Sequence, residues 1–343
     1  MKHKGIERSN VPLTKADFMS DQMVKWCPGC GNHAILASVE GIFPEIGYKK
    51  ENYCIVSGIG CSSRFPYYVN TYGFHGIHGR AYPIATGVKL GNPGLSVWIA
   101  SGDGDSTAIG GNHLIHIARR NMDVNVIMFN NQIYGLTKGQ YSPTTKFGQV
   151  TKTSPYGTID YPFNPGELIM GAGGTFFARA VDNNMIKMKE VMDEAAGHDG
   201  TSVVEILQNC VIFNNGTHAD ITGKETKDDN QLWLEHGKPM IFGAKRDKGL
   251  RLKGTELEVV TIGKNGITEK DILVHDETTE DIGIHMMLAG MRLPKYPVAL
   301  GVIRKVKKPT YNQLFEEQME TVSAQSSIHC VDDLLNSGDT WEV

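Results

Sequence analysis

Four short apolar runs, each closed by turn-forming residues or a cysteine, constrain the fold more than any other feature of the chain. They are YCIVSGIG at 53–60, LSVWIAS at 95–101 running into Gly102, VNVIMF at 124–129 stopping at Asn130 and Asn131, and TSVVEILQ at 201–208 stopping just before Cys210. Each is rich in β-branched residues and apolar at consecutive positions, the pattern of a strand buried on both faces. Between them apolar residues recur at helical spacing: Ile35, Val39, Ile42 and Phe43, then Leu114, Ile117 and Ala118, and later Ile186, Val191 and Ala195. Strands alternating with helices predict an α/β fold with a doubly wound, mostly parallel sheet. In such sheets ligands sit at the carboxyl ends of the strands.

Past about residue 215 the texture changes. GTHADITGKETKDDNQ is polar and loop-like, 256–263 and 298–303 have strand character, and 311–322 has the spacing of an amphipathic helix. The expected division is a binding domain at 1–215 and a C-terminal extension at 216–343, a layout that 343 residues accommodate. A formal net charge of −4 provides no global basic field for nucleic acid. No apolar run is long enough to span a bilayer. The basic start, MKHKGIERSN, is followed by no apolar stretch, so no signal peptide is expected and the expected compartment is the cytoplasm.

The second run ends in Gly102-Asp103-Gly104-Asp105-Ser106 and opens a helix; the next run ends in Asn130-Asn131. Glycines let the backbone approach phosphates, and a helix N-terminus offers free N–H groups and a positive dipole end. Asp103 offers a hard oxygen to Mg²⁺, Asn131 a neutral second one, and the carbonyl of Ile133 a third. Two phosphate oxygens and a water complete the octahedron that Mg²⁺ requires. Gly-Asp-Gly alone is more often a plain turn. The paired asparagines at the end of the following strand reverse that balance and match the signature of thiamine-diphosphate enzymes.

Six cysteines in a chain expected in the cytoplasm point to metal or redox chemistry rather than structural disulfides. Cys27-Pro28-Gly29-Cys30 is a Cys-x-x-Cys loop just before a helix, while Cys61 and Cys210 follow strand ends. Four thiols can therefore meet at one sheet edge, where zinc and an iron–sulfur cluster are both admissible. Cys54, inside a strand, and Cys330 are read as structural. His113 and His116, on the helix after Asp105, are read as packing or surface residues. Arg304, Lys305, Lys307 and Lys308 form a basic run, read first as solvated and second as a docking face for an acidic ferredoxin.

WCPGCGNHAIL, GIGCSSR, HGIHGRAYPIATGVK, GDGDS and NNQIYGLTKGQYSPT, in that order, resemble the β subunit of 2-oxoacid:ferredoxin oxidoreductases, most closely the 2-oxoglutarate branch. The resemblance spans about residues 25–210. It implies a thiamine-diphosphate-binding fold with three bound groups: thiamine diphosphate, Mg²⁺ and one 4Fe–4S cluster held by Cys27, Cys30, Cys61 and Cys210. It implies cofactor contacts at Ile59, Gly60, Cys61, Ser62, His78, Gly104, Asp105, Gly135 and Leu136, with His75 undecided. Arg64 and Lys138 are expected near the variable end of the substrate, where a guanidinium favours a second carboxylate. The implied activity is oxidative decarboxylation of a 2-oxoacid to its acyl-CoA, or the reverse, with electrons passing to ferredoxin. The activating glutamate, which neither Glu40 nor Glu45 is placed to supply, is expected from an α subunit in a heterodimer or dimer of heterodimers. Rival readings are a thiamine-dependent decarboxylase or ligase with structural zinc, the same chemistry on pyruvate or a broad range of 2-oxoacids, and a non-catalytic electron carrier.

Overall fold

The computed structural model describes residues 6–341, so part of the basic N-terminal stretch and the last two residues lie outside it. The four apolar runs form β1 (Tyr53–Ser57), β3 (Ser96–Gly102), β4 (Asn125–Asn130) and β6 (Ser202–Leu207), nearly every residue buried. Two further strands complete the central sheet, β2 (Tyr72–His75) and β5 (Phe176–Val181), and two come from the C-terminal part, β7 (Gln231–Trp233) and β11 (Val298–Lys305). The order is β2-β1-β3-β4-β6-β5-β11-β7. All neighbours run parallel except β5 and β11. A small antiparallel sheet of β8 (Ile241–Phe242), β9 (Lys248–Lys253) and β10 (Glu256–Thr261) stands apart.

Side chains that alternate along each strand feed two cores. Ile55, Trp98, Ile127, Phe129 and Val204 join α1 (Asn32–Ile46) on one face. Val56, Val97, Ile99, Val126 and Val203 join the other core together with residues of the small sheet. On each face this packing covers apolar strand surface that would otherwise meet water. Burial of each such large apolar side chain contributes about 1.5–3 kcal/mol.

Several expectations are corrected. Ile186 is exposed, because the helix Met185–Ala196 buries the stripe Met188, Val191, Met192 and Ala195 instead. The helix expected at 311–322 forms as Tyr311–Gln325, capped by Thr310, but only Asn312 of it is buried. Cys330 is exposed. The basic run is solvated only in part: Lys307 and Lys308 are exposed, but Arg304 is 4% exposed, its guanidinium donating to the carbonyls of Gly174, Thr279 and Glu280 and bonding His285 Nδ1 at 2.8 Å. Lys305 pairs with Glu194. The cause is β11, which carries Arg304 into the sheet. Among the described residues no helix is long and apolar enough to cross a membrane.

Candidate functional site

The strand ends gather the residues singled out by sequence. At the carboxyl end of β3, Asp103 opens the short helix Asp103–Thr107, and a cleft there is lined by Ile59, Gly60, Cys61, Ser62, His78, residues 102–105, Asn131, Ile133, Gly135 and Leu136. Asp103 is 2% exposed. Its Oδ2 accepts from Ser142 Oγ at 2.5 Å and Thr144 Oγ1 at 2.6 Å. Burial nevertheless pushes its pKa up to about 6, the hydroxyl bonds offsetting only part of the desolvation. A carboxylate so held favours a cation partner. Asn131 closes a turn, its Oδ1 accepting from the Ile133 N–H at 3.1 Å.

Asp105 turns into the scaffold. Its Oδ1 accepts from the N–H groups of Gly79 (2.7 Å) and Ile59 (3.2 Å) and from His78 Nδ1 (2.5 Å), while Oδ2 accepts from Ser101 Oγ (2.7 Å). A carboxylate only accepts, so His78 carries its proton on Nδ1 and, in the neutral ring, presents Nε2 as an acceptor. One side chain thereby locks three cleft walls together. It also explains Gly58: a Cβ there would stand 2.1 Å from Asp105 Oδ2. His75 bonds Tyr67 Oη at 3.0 Å on the exposed edge strand β2.

The cysteines assemble on the same side. Cys30 lies within electrostatic reach of Cys27, Cys61 and Cys210. Burial pushes the Cys30 and Cys61 thiols up to about 12 and 11. The Cys27–Cys30 loop is fixed by the Cys30 N–H donating to the Cys27 carbonyl at 3.1 Å, and Gln208 Nε2 donates to Cys30 Sγ at 3.4 Å. Trp26 Nε1 donates to the Cys61 carbonyl at 2.6 Å. A Cβ on Gly135 would stand 3.5 Å from Cys210 Sγ and 3.6 Å from Cys61 Sγ, so the missing side chain leaves a hollow between cleft and thiols. Among the described residues no three His, Cys, Asp or Glu side chains converge as they would on a single ion.

Arg64 and Lys138 stand outside the cleft lining. Arg64 is half-buried on the short turn Ser62–Arg64, its charge lowering the Cys61 pKa against the burial that raises it. Lys138 is exposed at the tip of the 134–140 loop with φ 73°. Glu40 pairs with Lys15 at 3.4 Å and Glu45 with Lys189 at 2.6 Å, both away from the cleft. His113 and His116 lie on the helix Gly111–Arg120. Sequence reasoning missed Ser142 and Thr144, which sit inside a quoted motif but carry no chemical signal until the loop is folded onto Asp103.

Residues 58–206 match the family model of the thiamine pyrophosphate enzyme C-terminal TPP binding domain. The chain is 45% identical, over all of its length and 92% of the relative's, to "2-oxoglutarate oxidoreductase subunit KorB" of Mycobacterium tuberculosis. It is 41% identical to "2-oxoglutarate synthase subunit KorB" of Archaeoglobus fulgidus, over 60% of this chain and 78% of that one. Among solved structures, a 2-oxoglutarate:ferredoxin oxidoreductase from Magnetococcus marinus with 2-oxoglutarate, coenzyme A and succinyl-CoA bound superposes with a TM-score of 0.77 at 30% identity. The match covers 98% of this chain and all of that one.

Proposed function

This chain belongs to the family of 2-oxoacid:ferredoxin oxidoreductase β subunits, and on that premise we propose the composition and chemistry of its site. It is one subunit of an oxidoreductase with a thiamine-diphosphate-binding domain. Residues 1–215 hold thiamine diphosphate, Mg²⁺ and one 4Fe–4S cluster, and 216–343 complete the edge of the sheet. Asp103, Asn131 and the Ile133 carbonyl bind Mg²⁺; Cys27, Cys30, Cys61 and Cys210 bind the cluster. The substrate is 2-oxoglutarate, converted with coenzyme A to succinyl-CoA and CO₂ or formed in reverse. An α subunit supplies the activating glutamate, ferredoxin exchanges the electrons, and the compartment is the cytoplasm.

The observation that carries this reading is the shared wall: Cys61 and Gly135 border the cleft at Asp103 and also the thiol cluster. When bound, thiamine diphosphate supplies the carbon nucleophile and electron sink for decarboxylation, and the cluster supplies a one-electron acceptor. The chain's own residues position these groups. Asp103 offers a desolvated carboxylate to the cation. His78, pinned by Asp105, presents Nε2 at the cleft. Glycine at 135 leaves no side chain between the cleft and Cys61 and Cys210. Buried thiols with raised pKa values release protons when they take metal.

The test is anaerobic purification of the chain with its α subunit, followed by metal analysis and turnover with 2-oxoglutarate, pyruvate and coenzyme A. Iron with 2-oxoglutarate turnover supports the reading; stoichiometric zinc and no iron would overturn it in favour of a decarboxylase or ligase.

A further inference from the structure

An ion pair lies buried in the middle of the sheet, flanked along the strands by Ala178 and Ala180 on β5 and Val204 and Ile206 on β6. Arg179 on β5 and Glu205 on β6 are register partners, 5% and 2% exposed, with Nε 2.6 Å from Oε2. Such a pair is a poor source of stability, because desolvating two charges offsets most of their attraction. Its geometry instead leads to the cation site. The other oxygen, Glu205 Oε1, accepts from Asn130 Nδ2 at 2.6 Å. That fixes the amide so that Asn130 Oδ1 faces Thr144 Oγ1 at 3.1 Å. The Thr144 hydroxyl has one proton and two acceptors, and the nearer, charged one, Asp103 Oδ2 at 2.6 Å, takes it.

Ser142 Oγ grips the same carboxylate oxygen at 2.5 Å. Two hydroxyl donors on Oδ2 restrain the carboxylate from turning. The next residue reaches the other half of the site. Thr145 Oγ1 accepts from the Ser142 N–H at 2.7 Å and donates to the Gln132 carbonyl at 2.7 Å. Gln132, with φ 56°, is the residue between Asn131 and Ile133. One turn at 142–145 therefore holds both Asp103 and the Asn131–Ile133 segment.

We propose that this turn positions the divalent-cation site: Ser142 and Thr144 orient Asp103, and Thr145 sets the Gln132 carbonyl and with it the neighbouring ligands. The inference rests on the reading of Asp103 as a cation ligand. Positioning partners of this kind typically account for 10–100-fold in metal affinity.

The experiment uses the complex with its α subunit, stripped of metal by chelation. Mg²⁺ is titrated at fixed thiamine diphosphate while cofactor binding is followed by tryptophan fluorescence, with circular dichroism as the check on folding. Thr144→Val and Ser142→Ala should each raise the Mg²⁺ midpoint roughly 10–100-fold. Thr144→Ser, which restores the hydroxyl, should stay near wild type. Folded Thr144→Val and Ser142→Ala complexes with unmoved Mg²⁺ midpoints, beside an Asp103→Ala control that loses binding, overturn the positioning role alone. An Asp103→Ala control that still binds Mg²⁺ normally overturns the site reading and the inference with it.

Discussion

Lowering the pH should drive the cation from Asp103, over a range that burial sets. The group is 2% exposed, and desolvation lifts its pKa from 3.8 to about 6 despite the bonds from Ser142 and Thr144. A shift of roughly two units corresponds to about 3 kcal/mol in favour of the neutral acid in the folded chain. Because the folded pKa lies above the unfolded one, that stability is complete below pH 3.8 and is lost as the pH rises through about 6. Above that pH the metal-free site holds a poorly solvated carboxylate, which a divalent cation relieves; below it, proton and cation compete. The Mg²⁺ midpoint should be nearly level above pH 7 and should rise about tenfold per unit once the pH is well below 6. Between pH 7 and 5 the net rise is roughly tenfold by the same relation. The assay is Mg²⁺ titration of the chelator-stripped complex with its α subunit at fixed thiamine diphosphate. The phosphate of the cofactor titrates near pH 6 as well. Asp103→Asn separates the two, because it keeps the cofactor's titration and lacks the protein's. Parallel pH curves for wild type and Asp103→Asn would refute the argument.

Cys210→Ala should lose or destabilise the cluster while the sheet still folds, read as iron content against an unchanged circular dichroism spectrum; full iron loading excludes Cys210 as a ligand. Arg64 stands beside Cys61 but outside the cleft lining; if it reads the second carboxylate of the substrate, Arg64→Ala should raise the Michaelis constant for 2-oxoglutarate far more than for pyruvate, since losing a charge-assisted pair costs about 2–5 kcal/mol. Equal loss on both substrates assigns Arg64 to holding the site together. The chain alone should give no full turnover and should recover it on adding the α subunit, because Glu40 and Glu45 are occupied away from the cleft; turnover by the isolated chain rules that out.

The fold was legible where strands are uniformly apolar. β1, β3, β4 and β6 stand where the runs placed them, because a strand buried on both faces leaves a continuous signature. β5 escaped detection since Arg179 interrupts FFARAV; the charge is tolerable there because it pairs with Glu205 and donates to the Ala289 and Ala299 carbonyls. β2 is short and exposed throughout, so it carries no burial pattern to read. Arg304 was misjudged for a related reason: a run of cations looks solvated until the sheet shows which one points inward. At the site, Asp103, Asn131 and the cysteines were legible because their chemistry is unusual for strand ends. Ser142, Thr144 and Thr145 were not, because hydroxyls in a loop have no meaning before the loop is folded onto its partners.

The central claim is that cofactor cleft and cluster form one electron path in this chain. The most direct measurement is electron paramagnetic resonance of the anaerobic complex with its α subunit, before and after addition of 2-oxoglutarate and coenzyme A, alongside iron analysis. The account predicts about four irons per chain, as one cubane with four thiolate ligands requires, and a reduced-cluster signal that appears on addition of the substrates and is absent before it. A preparation with stoichiometric zinc and no iron, or a cluster that dithionite reduces and the substrates do not, would contradict it.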